Sequence, residues 1–582
     1  MTVRILAGFF LALVGVVVGA ANALPAFPGA EGFGAAATGG RGGQVVKVTN
    51  LNTNGDGSLQ WAVNQPGPRI IVFDVSGVIR GDVEIPHGDL TIAGQTAPGA
   101  GITINGHLHT SFGTTFGNII IRHLRVRAPG PSSDWPPSRH DAVQLSRNQL
   151  LIFDHMDISH GIDENLDLWG GARDVTIQWS AITLPVFDGG HPDGPQHNFG
   201  LINGPEGGRI SVHHNLFAHA RARTPALAQG PAETINNVIY NGREGFTHHN
   251  PADGEFNIVG NFYRDGPDAT LAPLWFDPEN TPSSVYYVFN NYVDDPGVFE
   301  GRVDNPFQNT QFDNRYEFYC CGTAANQFTG QAFDFAAGNS GYEPVTTTDP
   351  ATAYTQVLAR AGAWPRDIVN RWVVEETQNR AAGWGNRRPS DWLEGLSATA
   401  PPADRDNDGM PDEWEVSRGL NPDDGTDHST VTSTGYTAIE DYINQRASDL
   451  TGVTPPPELL GVSGSWFDPA SAGRGFNIQF INNERFLIYF YGFLDSGERF
   501  WLVGDFQGEM NFEQALSVDM LEATGGAFNN FDPDAVNVTP WGTLNVSFNG
   551  CEAATATLVG PAGSETFALT KLAGVEGLRC SG

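Results

Sequence analysis

The feature that most constrains the fold is an irregular repeat of short apolar runs through about the first 300 residues. Runs such as residues 118–121, 150–153 and 285–288 are rich in β-branched and aromatic side chains, which favour strands. A residue just after successive runs falls at an equivalent place, with steps of 25, 35, 22, 24 and 30: His155, Ser180, Asn215, Asn237, Asn261 and Asn291. A base step in the low twenties with insertions is typical of stacked coils. The sequence therefore predicts an all-β solenoid whose stacked Asn side chains hydrogen-bond along one turn.

The charge balance excludes some classes of partner. The 582 residues include 32 Lys and Arg against 66 Asp and Glu, for a formal net charge of −34. Because the sequence shows no basic patch, it argues against nucleic acid or an anionic membrane as partner. An acidic substrate would need a cation or a local arginine cluster to bridge two negative surfaces.

Two Pro-rich segments divide the chain, residues 396–403 and 451–457. They separate a large body from a short acidic module, and that module from a C-terminal domain. We assign residues 24–397 to the solenoid, residues 398–457 to the acidic module with its flanking linkers, and residues 458–582 to the C-terminal domain.

The N-terminal 23 residues have the pattern of a signal peptide. Arg4 precedes an apolar run over residues 5–18, and Ala21-Asn22-Ala23 fits a small-x-small cleavage site. The run is too short to be read as a membrane span, and no later segment is apolar enough to cross a bilayer. We therefore expect an exported protein that is cleaved near Ala23, and we expect it to be a monomer.

Secondary structure outside the repeat differs between the end of the body and the C-terminal domain. Helical periodicity predicts helices over residues 351–361 and 366–378 that pack against the solenoid or cap its end. The aromatic residues of the C-terminal domain fit either a core or a surface that stacks on sugars, and their alternation favours the core. In an oxidising compartment, Cys551 and Cys580 are expected to pair and close this domain.

The acidic module contains the sharpest short motif of the chain. Six residues fill positions 1, 3, 5, 6, 9 and 12 of an EF-hand-type calcium loop: Asp404, Asp406, Asp408, Gly409, Asp412 and Glu415. Such a loop brings several hard oxygen ligands around one ion, and the Gly allows the sharp turn. The sequence predicts a structural calcium site here; the alternative is a solvated acidic linker.

A second acidic set lies in the body. Asp141 opens one strand, and Asp163 and Asp167 follow one coil later, so that the three carboxylates can face the same groove. Carboxylates held so close repel each other unless a cation neutralises them. An ordinary acidic surface in a very acidic chain is the alternative, and spacing alone does not separate the two.

The body resembles the secreted pectate lyases of polysaccharide lyase family one over about residues 26–380. The most telling segment is Thr91-Ile-Ala-Gly-Gln-Thr-Ala-Pro-Gly99. The resemblance also covers residues 27–34, 39–43, 57–59, 71–77, 163–171 and the His-Asn run through Pro225. The acidic module resembles the calcium-loop tails of such lyases, and the C-terminal domain resembles a β-rich domain of other secreted bacterial proteins.

The resemblance implies a right-handed parallel β-helix that cleaves a polyuronate by β-elimination with Ca²⁺. It implies that Arg223, in Arg-Thr-Pro, removes the C5 proton of the substrate. It implies calcium ligands at Asp141, Asp163 and Asp167. In that case Arg223 should face these three carboxylates across one groove.

The sequence also departs from the family pattern at its cations. Ala226 and Ala228 occupy the places of a second arginine, Asp193 stands where a lysine is usual, and Arg139 replaces a ligand carboxylate. The candidates to hold an anionic substrate instead are Arg139, Arg209, Arg221 and His197.

Two hypotheses follow from the residues and the resemblance together. The first is a secreted calcium-dependent lyase that cleaves polygalacturonate to 4,5-unsaturated oligouronates. The second is a catalytically impaired β-helix that binds acidic polysaccharide, or a lyase of a related polyuronate or of methylated pectin. The departures favour the second hypothesis, whereas the retained Arg223 and the three Asp residues favour the first.

Overall fold

The computed structural model describes most of the chain. The described residues are 24–129, 141–194, 196–247, 253–268, 272–275, 283–305, 327–339, 341–385, 392–452, 460–471, 473–482, 485–494, 496–508, 515–526, 529, 532–561, 563–575 and 580. The predicted signal peptide, Arg139 and most of the second Pro-rich segment lie outside the described residues.

The body is a parallel β-helix with three sheets, which confirms the predicted all-β solenoid. Sheet A contains β1 (Gln44–Val48), β2 (Arg69–Phe73), β5 (Leu90–Ala93), β8 (Gly117–Arg122), β11 (Gln149–Asp154), β14 (Arg173–Gln178), β17 (Gly208–His213), β20 (Ala232–Ile235), β23 (Glu255–Val259) and β26 (Val285–Phe289). Sheet B contains β4 (Val83–Ile85), β7 (Leu108–Thr110), β10 (Val143–Gln144), β13 (Glu164–Leu168), β16 (Phe199–Asn203), β19 (Ala226–Leu227), β22 (Glu244–Thr247) and β25 (Ala272–Trp275). Sheet C contains β3 (Gly77–Arg80), β6 (Ile102–Asn105), β9 (Arg125–Arg127), β12 (Asp157–Ser159), β15 (Ala181–Thr183), β18 (Leu216–Ala218), β21 (Val238–Tyr240), β24 (Phe262–Arg264), β27 (Asn291–Asp295) and β28 (Phe299–Val303).

The core of the β-helix is a column of aliphatic side chains. Parallel strands keep one register from coil to coil, so that Leu151, Val175 and Ile210 are direct neighbours along sheet A. All three are fully buried. Each such side chain contributes roughly 1.5–3 kcal/mol when removed from water, and the stack therefore stabilises the coils jointly.

The predicted Asn ladder is present along one inner turn. Asn237 accepts at Oδ1 from the N and Nδ2 of Asn215, both at 3.0 Å, and its own Nδ2 donates to Asn261 at 3.0 Å. Asn261 in turn donates to Asn291 at 2.9 Å, and Ser180 N donates to Asn215 at 2.8 Å. The ladder satisfies buried amides that the coil turns would otherwise leave without partners.

The prediction was wrong for His155. The residue that aligns with Ser180 is Met156, whose N donates to Ser180 Oγ at 3.0 Å. His155 has a left-handed backbone with φ of +52° and joins a separate aromatic stack instead, 4.8 Å from His123 and 6.3 Å from Trp179 between ring centroids. His155 takes the left-handed position that directly precedes the ladder, as Trp179 and His214 do in the next coils. Because the ladder position here carries the apolar Met156, a pattern of polar residues after each run selects its neighbour His155 instead.

Five α-helices lie in the described part of the chain: α1 (Leu59–Val63), α2 (Pro350–Arg360), α3 (Ile368–Asn379), α4 (Asp412–Arg418) and α5 (Ala438–Thr451). Helices α2 and α3 confirm the two that periodicity predicted. They pack their apolar faces, with Val357 and Val369, on Leu216 and Val238 of sheet C, and so cover a side of the β-helix. No helix among the described residues combines the length and apolar character needed to cross a bilayer.

The acidic module packs directly on the first coils of sheet A. Met410 and Ile439 share a hydrophobic cluster with Ile70 and Val72 of β2. Gly409 has φ of +97°, and a Cβ there would lie 2.8 Å from a methyl group of Val45. The loop before α4 is therefore held against the β-helix, and only Gly fits at its closest approach.

The C-terminal domain is a closed barrel of eight antiparallel strands: β29 (Gly464–Phe467), β30 (Gly475–Asn482), β31 (Arg485–Phe493), β32 (Arg499–Gln507), β33 (Leu516–Thr524), β34 (Asn537–Phe548), β35 (Ala553–Gly560) and β36 (Gly563–Gly574). Alternate aromatic side chains fill its interior, among them Trp466, Phe486 and Phe567. A disulfide joins Cys551 and Cys580, the pair expected from the sequence. Other aromatic side chains of the barrel face outward.

Candidate active site

Sheet B brings the predicted acidic residues of the body together. Asp141 lies two residues before β10, and Asp163 lies immediately before β13, the neighbouring strand. Because β10 and β13 are in register, the two turns into these strands are stacked. Carboxylate oxygens of Asp141, Asp163 and Glu164 lie within 4.8 Å of one another. The group is set at the edge of sheet B, where the coils turn.

Two stacked histidines hold Asp163. His197 Nε2 lies 2.6 Å from Asp163 Oδ1, and His191 Nε2 lies 3.6 Å from Oδ2. The imidazole centroids are 3.7 Å apart with nearly parallel planes. Burial raises the pKa of Asp163, but the hydrogen bond and charge of His197 outweigh it, and this pKa lies below its usual value. Asp163 therefore ionises more readily than an ordinary aspartate.

The other two predicted ligands are harder to ionise. Burial, with the charges of Asp167 and Asp163, raises the pKa of Asp141 well above its usual value. Burial also raises the pKa of Asp167 to about 6. Asp167 lies beside the group: Gln144 Nε2 donates to its Oδ2 at 2.8 Å and lies 3.5 Å from Asp141 Oδ2. Carboxylates buried at this spacing repel, and their all-oxygen donor set fits a hard divalent cation.

Arg223 faces this acidic group. Its backbone is left-handed, with φ of +62°, and its guanidinium forms an ion pair with Glu164 and lies 4.0 Å from the ring centroid of Phe199. Burial lowers the pKa of Arg223 to about 10, although nearby carboxylates, above all Asp163, act in the opposite direction. The structure thus has the arginine and the carboxylates in one groove, the arrangement that the lyase hypothesis requires.

The arginines that could hold an anionic substrate in place of the missing family cations lie in different parts of the structure. Arg221 lies beside Phe199, with its Cζ 5.9 Å from the ring centroid; its Nη1 donates to Gln196 O at 2.8 Å, and its buried Nε has no hydrogen-bond partner among the described residues. Arg209 lies on β17 in sheet A, ion-paired with Asp174, and does not reach the groove. Arg139 lies outside the described residues. Arg221 is therefore the arginine best placed beside Arg223.

The structure also describes the residues that stand where the family usually has a cation. Ala226 and Ala228 are buried and offer no polar group, whereas the Asp193 side chain is 78% exposed. His197, predicted to bind substrate, is engaged with Asp163 in this structure. Among the residues that the structure describes, the groove therefore contains fewer cations than the resemblance implies.

The calcium loop of the acidic module forms a second acidic cluster. Carboxylate oxygens of Asp404, Asp406 and Asp408 lie within 4.8 Å of one another, and so do those of Asp408, Glu415 and Asp427. Both oxygens of Glu415 are buried without a hydrogen-bond partner among the described residues. Burial raises the pKa of Asp408 to about 7 and that of Glu415 to about 8. Grouped carboxylates that are buried without donors are costly unless a cation such as Ca²⁺ neutralises them, so these residues fit the predicted ion.

Asp412 does not join this cluster, contrary to the sequence prediction. Its carboxylate accepts from the N and Nε of Arg405, both at 2.9 Å, and is thereby held in an ion pair away from the cluster. Asp427 takes a place in the cluster that the sequence analysis did not assign. Lys47 Nζ also donates to Asp404 at 2.8 Å, which ties the loop to β1.

Sequence reasoning missed Glu164, His191 and Asp427. In β13 the strand alternation holds for Leu166, which faces the core, but Glu164 is at the turn into the strand, where alternation does not fix its direction. The pairing of His191 with Asp163 crosses a loop. Asp427 lies 12 residues beyond the end of the loop template at Glu415. The sequence has three acidic residues between the loop and α5, Asp423, Asp424 and Asp427, and nothing in their spacing singles out Asp427.

No protein-family model matches the chain. Among solved structures, a pectate lyase bound to a hexasaccharide matches with a TM-score of 0.40 and 13% identity, over 59% of this chain and 98% of that one; at this score the likeness adds no support.

The similarity of this chain to known protein sequences is stronger than its similarity to solved structures. A probable pectate lyase C of Aspergillus fumigatus is 34% identical over 437 residues, which are 73% of this chain and 94% of the relative. A probable pectate lyase C of Emericella nidulans is 32% identical over 438 residues, or 73% of this chain and 93% of that protein. With this identity over nearly the whole length of these relatives, the chain belongs to the pectate lyase family of polysaccharide lyases.

Proposed function

We propose that this protein is a calcium-dependent lyase that cleaves polygalacturonate by β-elimination and leaves 4,5-unsaturated oligouronates. The observation that carries the proposal is the groove of sheet B, where Arg223 faces Asp141, Asp163 and Glu164. β-Elimination needs a base for the C5 proton of the uronate and positive charge near the uronate carboxylate. One groove supplies an arginine for the first and a cluster of carboxylates suited to Ca²⁺ for the second.

Arg223 is the proposed base. An arginine side chain is normally protonated throughout the accessible pH range, so that it cannot accept a proton. Burial against Phe199 lowers the pKa of Arg223 to about 10, which makes the neutral form accessible in moderately alkaline solution. The neutral guanidine takes the C5 proton, and the electron pair forms the C4–C5 double bond as the C4 oxygen leaves.

The carboxylates would hold the metal. Asp163, kept ionised by His197, and Asp141 would supply oxygens, with Asp167 beside them on β13. Calcium bound there would withdraw charge from the substrate carboxylate and thereby make the C5 proton more acidic. Arg221, which lies beside Phe199 as Arg223 does, would add positive charge for a second uronate carboxylate along the groove.

We further propose a structural calcium ion in the acidic module and export of the protein. The buried carboxylates of Glu415 and Asp408, both without enough hydrogen-bond donors, support the first. The apolar segment of residues 5–18 with its small-x-small site supports the second.

The test is the ultraviolet absorbance of the unsaturated product with purified protein and polygalacturonate at alkaline pH. We expect absorbance to rise with calcium and to stop rising when a chelator is added. Arg223→Ala should lower the rate about 10²–10⁴-fold, the usual contribution of a positioned base. Arg209→Ala is the matched control, since this arginine is outside the groove and should leave the rate unchanged.

A catalytically impaired protein that binds acidic polysaccharide is the second candidate. The observation that favours it is that Ala226 and Ala228 are buried and bring no cation to the groove. A flat absorbance trace with polygalacturonate, methylated pectin and alginate would favour this candidate over the lyase. Activity that persists in Arg223→Ala would instead contradict the assignment of the base.

A further inference from the structure

The outer face of the C-terminal barrel has an aromatic patch that its core does not use. Strands β31 and β32 point Phe490 and Leu502 inward, and by alternation they point Tyr491, Phe493 and Trp501 outward. These three outward rings are 50%, 51% and 44% exposed. Large aromatic side chains grouped in this way on a surface usually mark a binding site.

The patch is ordered by the register of the two strands. Tyr491 is the direct cross-strand neighbour of Trp501, and Phe493 is that of Arg499. Directly opposed residues of an antiparallel pair share one face of the sheet at close range. The rings of Tyr489 and Tyr491 follow one another at 6.4 Å between centroids, with their planes 11° apart. The result is a row of rings beside one guanidinium.

A pocket of about 550 Å³ lies over this row, with Tyr491, Phe493, Arg499 and Trp501 among its lining residues. This volume is within the range of about 300–1,000 Å³ that is usual for small-ligand sites. Arg499 has no ion-pair partner among the described residues, whereas the nearby Arg474 is paired with Glu565. In a chain of net charge −34, an unpaired arginine beside exposed rings is a place where an anion can bind.

We propose that this patch is a second binding site, for an acidic polysaccharide of the polyuronate class. A uronate ring has an apolar face of C–H groups, which can lie on Tyr491 or Trp501, and a carboxylate at its edge, which can reach Arg499. The hydroxyl groups of Tyr489 and Tyr491 can exchange hydrogen bonds with the sugar hydroxyls. The choice of a polyuronate over a neutral glycan rests on the proposed function of the groove in sheet B.

The consequence of such a site is retention of the enzyme on its polymer. A barrel that holds the polymer raises the local concentration of substrate for the groove, because the second binding event becomes intramolecular. The two sites differ in their chemistry. The groove needs a metal to accept a polyanion, whereas the barrel patch presents a permanent cation and no cluster of carboxylates among its lining residues.

The experiment is native gel electrophoresis of the full-length protein in gels that contain polygalacturonate and a chelator, so that cleavage and metal-mediated binding are suppressed. We expect the polymer to retard the wild type and Trp501→Ala to raise the apparent dissociation constant about tenfold, as is usual for truncating an aromatic side chain that binding buries. Phe289→Ala is the matched control, since this residue on β26 is 41% exposed and also lies near an arginine, and it should be retarded like the wild type.

Further measurements distinguish a polyuronate ligand from a neutral glycan and from a second copy of the chain. Arg499→Gln should weaken retardation by polygalacturonate. Equal retardation by a neutral glucan that Arg499→Gln leaves unchanged would overturn the polyuronate assignment. Equal retardation of Trp501→Ala and wild type, or no retardation at all, would overturn the site itself. A concentration-dependent dimer by sedimentation that Trp501→Ala abolishes would assign the patch to contacts between copies of the chain, and so would also overturn it.

Failure of this inference and failure of the proposed function give different results. Arg223→Ala should be retarded like the wild type although it should not cleave. A protein that is retarded but forms no unsaturated product refutes the lyase and leaves the barrel site standing. A protein that cleaves with calcium but is not retarded in chelator refutes the barrel site alone.

Discussion

Replacing Glu233 by glutamine should make the β-helix more stable in neutral and alkaline solution. Glu233 lies on β20 and is 2% exposed. Its carboxylate accepts from Ser211 Oγ at 2.5 Å and from the Tyr342 hydroxyl at 3.0 Å. Burial raises its pKa from the usual 4.5 to about 7, because these two donors only partly replace the lost water.

The size of the effect follows from this pKa. A difference of about 2.5 pKa units at about 1.4 kcal/mol each is about 3 kcal/mol. The folded state binds the proton of Glu233 more tightly than the unfolded state. The stability that this tighter proton binding adds to the folded state is therefore fully present below pH 4.5, declines as the pH rises to 7, and is absent above it. A glutamine side chain at this position would be uncharged throughout and would keep an oxygen for the same two donors.

Differential scanning calorimetry of the full chain between pH 4 and 9 would measure the difference between variant and wild type. Unfolding entropy of about 2.1 cal/mol/K per residue over about 360 residues converts 3 kcal/mol into a rise in Tm of about 4 °C. We expect that Glu233→Gln gains about this much, relative to the wild type, between pH 4.5 and pH 8. Glu255→Gln on the next strand, β23, is the control, since that side chain is exposed and its replacement should give no pH-dependent difference.

A difference between Glu233→Gln and wild type that does not change with pH would refute the reasoning. It would mean that the pKa of Glu233 is the same in the folded and the unfolded state, so that its burial costs nothing. Glu31 lies half-buried nearby, and its pKa is raised mainly by desolvation. Because Glu31 is present in both proteins, its direct contribution largely cancels in the comparison.

Three further outcomes test other parts of the structure. Asp427→Asn should reduce the rise in Tm that calcium gives over chelator, whereas Asp412→Asn should not, because the latter carboxylate is held by an arginine; equal losses would contradict the revised cluster. Asn237→Ala should cost about 3 kcal/mol of stability by urea unfolding, since it removes the acceptor of the Asn215 backbone N–H and of one Nδ2 hydrogen of Asn215, and the donor to Val212 O. Cys551→Ser should lower the free energy of unfolding of the barrel by about 3–4 kcal/mol, for a disulfide that closes 29 residues, and should leave that of the β-helix unchanged; urea unfolding measures both.

The sequence was sufficient for the solenoid because its physical basis is periodic. Each coil repeats an apolar run and a polar turn, and parallel strands in register convert equal spacing into vertical stacking, as at Asn215, Asn237 and Asn261. The error at His155 arose where the ladder position carries an apolar residue, Met156, in place of Asn or Ser. The left-handed residue before the ladder recurs at Trp179, His214 and Asn236, so the backbone of this coil is regular and only the residue type at the ladder position departs from the pattern.

The site was predictable only in part, because its members come from turns. Asp163 and Arg223 were assigned through resemblance to a family, and the structure brings them into one groove. Glu164 and His191 could not be assigned from spacing, because their directions depend on the path of two loops. Asp427 joins the calcium loop from a turn outside the sequence template, which counts positions along the chain and not distances in space.

The charge balance of the groove on sheet B links the two proposed binding sites. Five carboxylates lie in or next to the groove: Asp141, Asp163, Glu164, Asp167 and Glu244. Three described arginines lie beside them, Arg221, Arg223 and Arg243; Arg223 is already paired with Glu164, and Arg243 Nε lies 3.8 Å from Glu244 Oε1. A polyanion entering this groove without a metal meets net repulsion, so we expect calcium to bind before the substrate. In a chelated solution the groove should then contribute little to retention of the polymer, and the retention that remains should depend on Trp501 and Arg499 of the barrel.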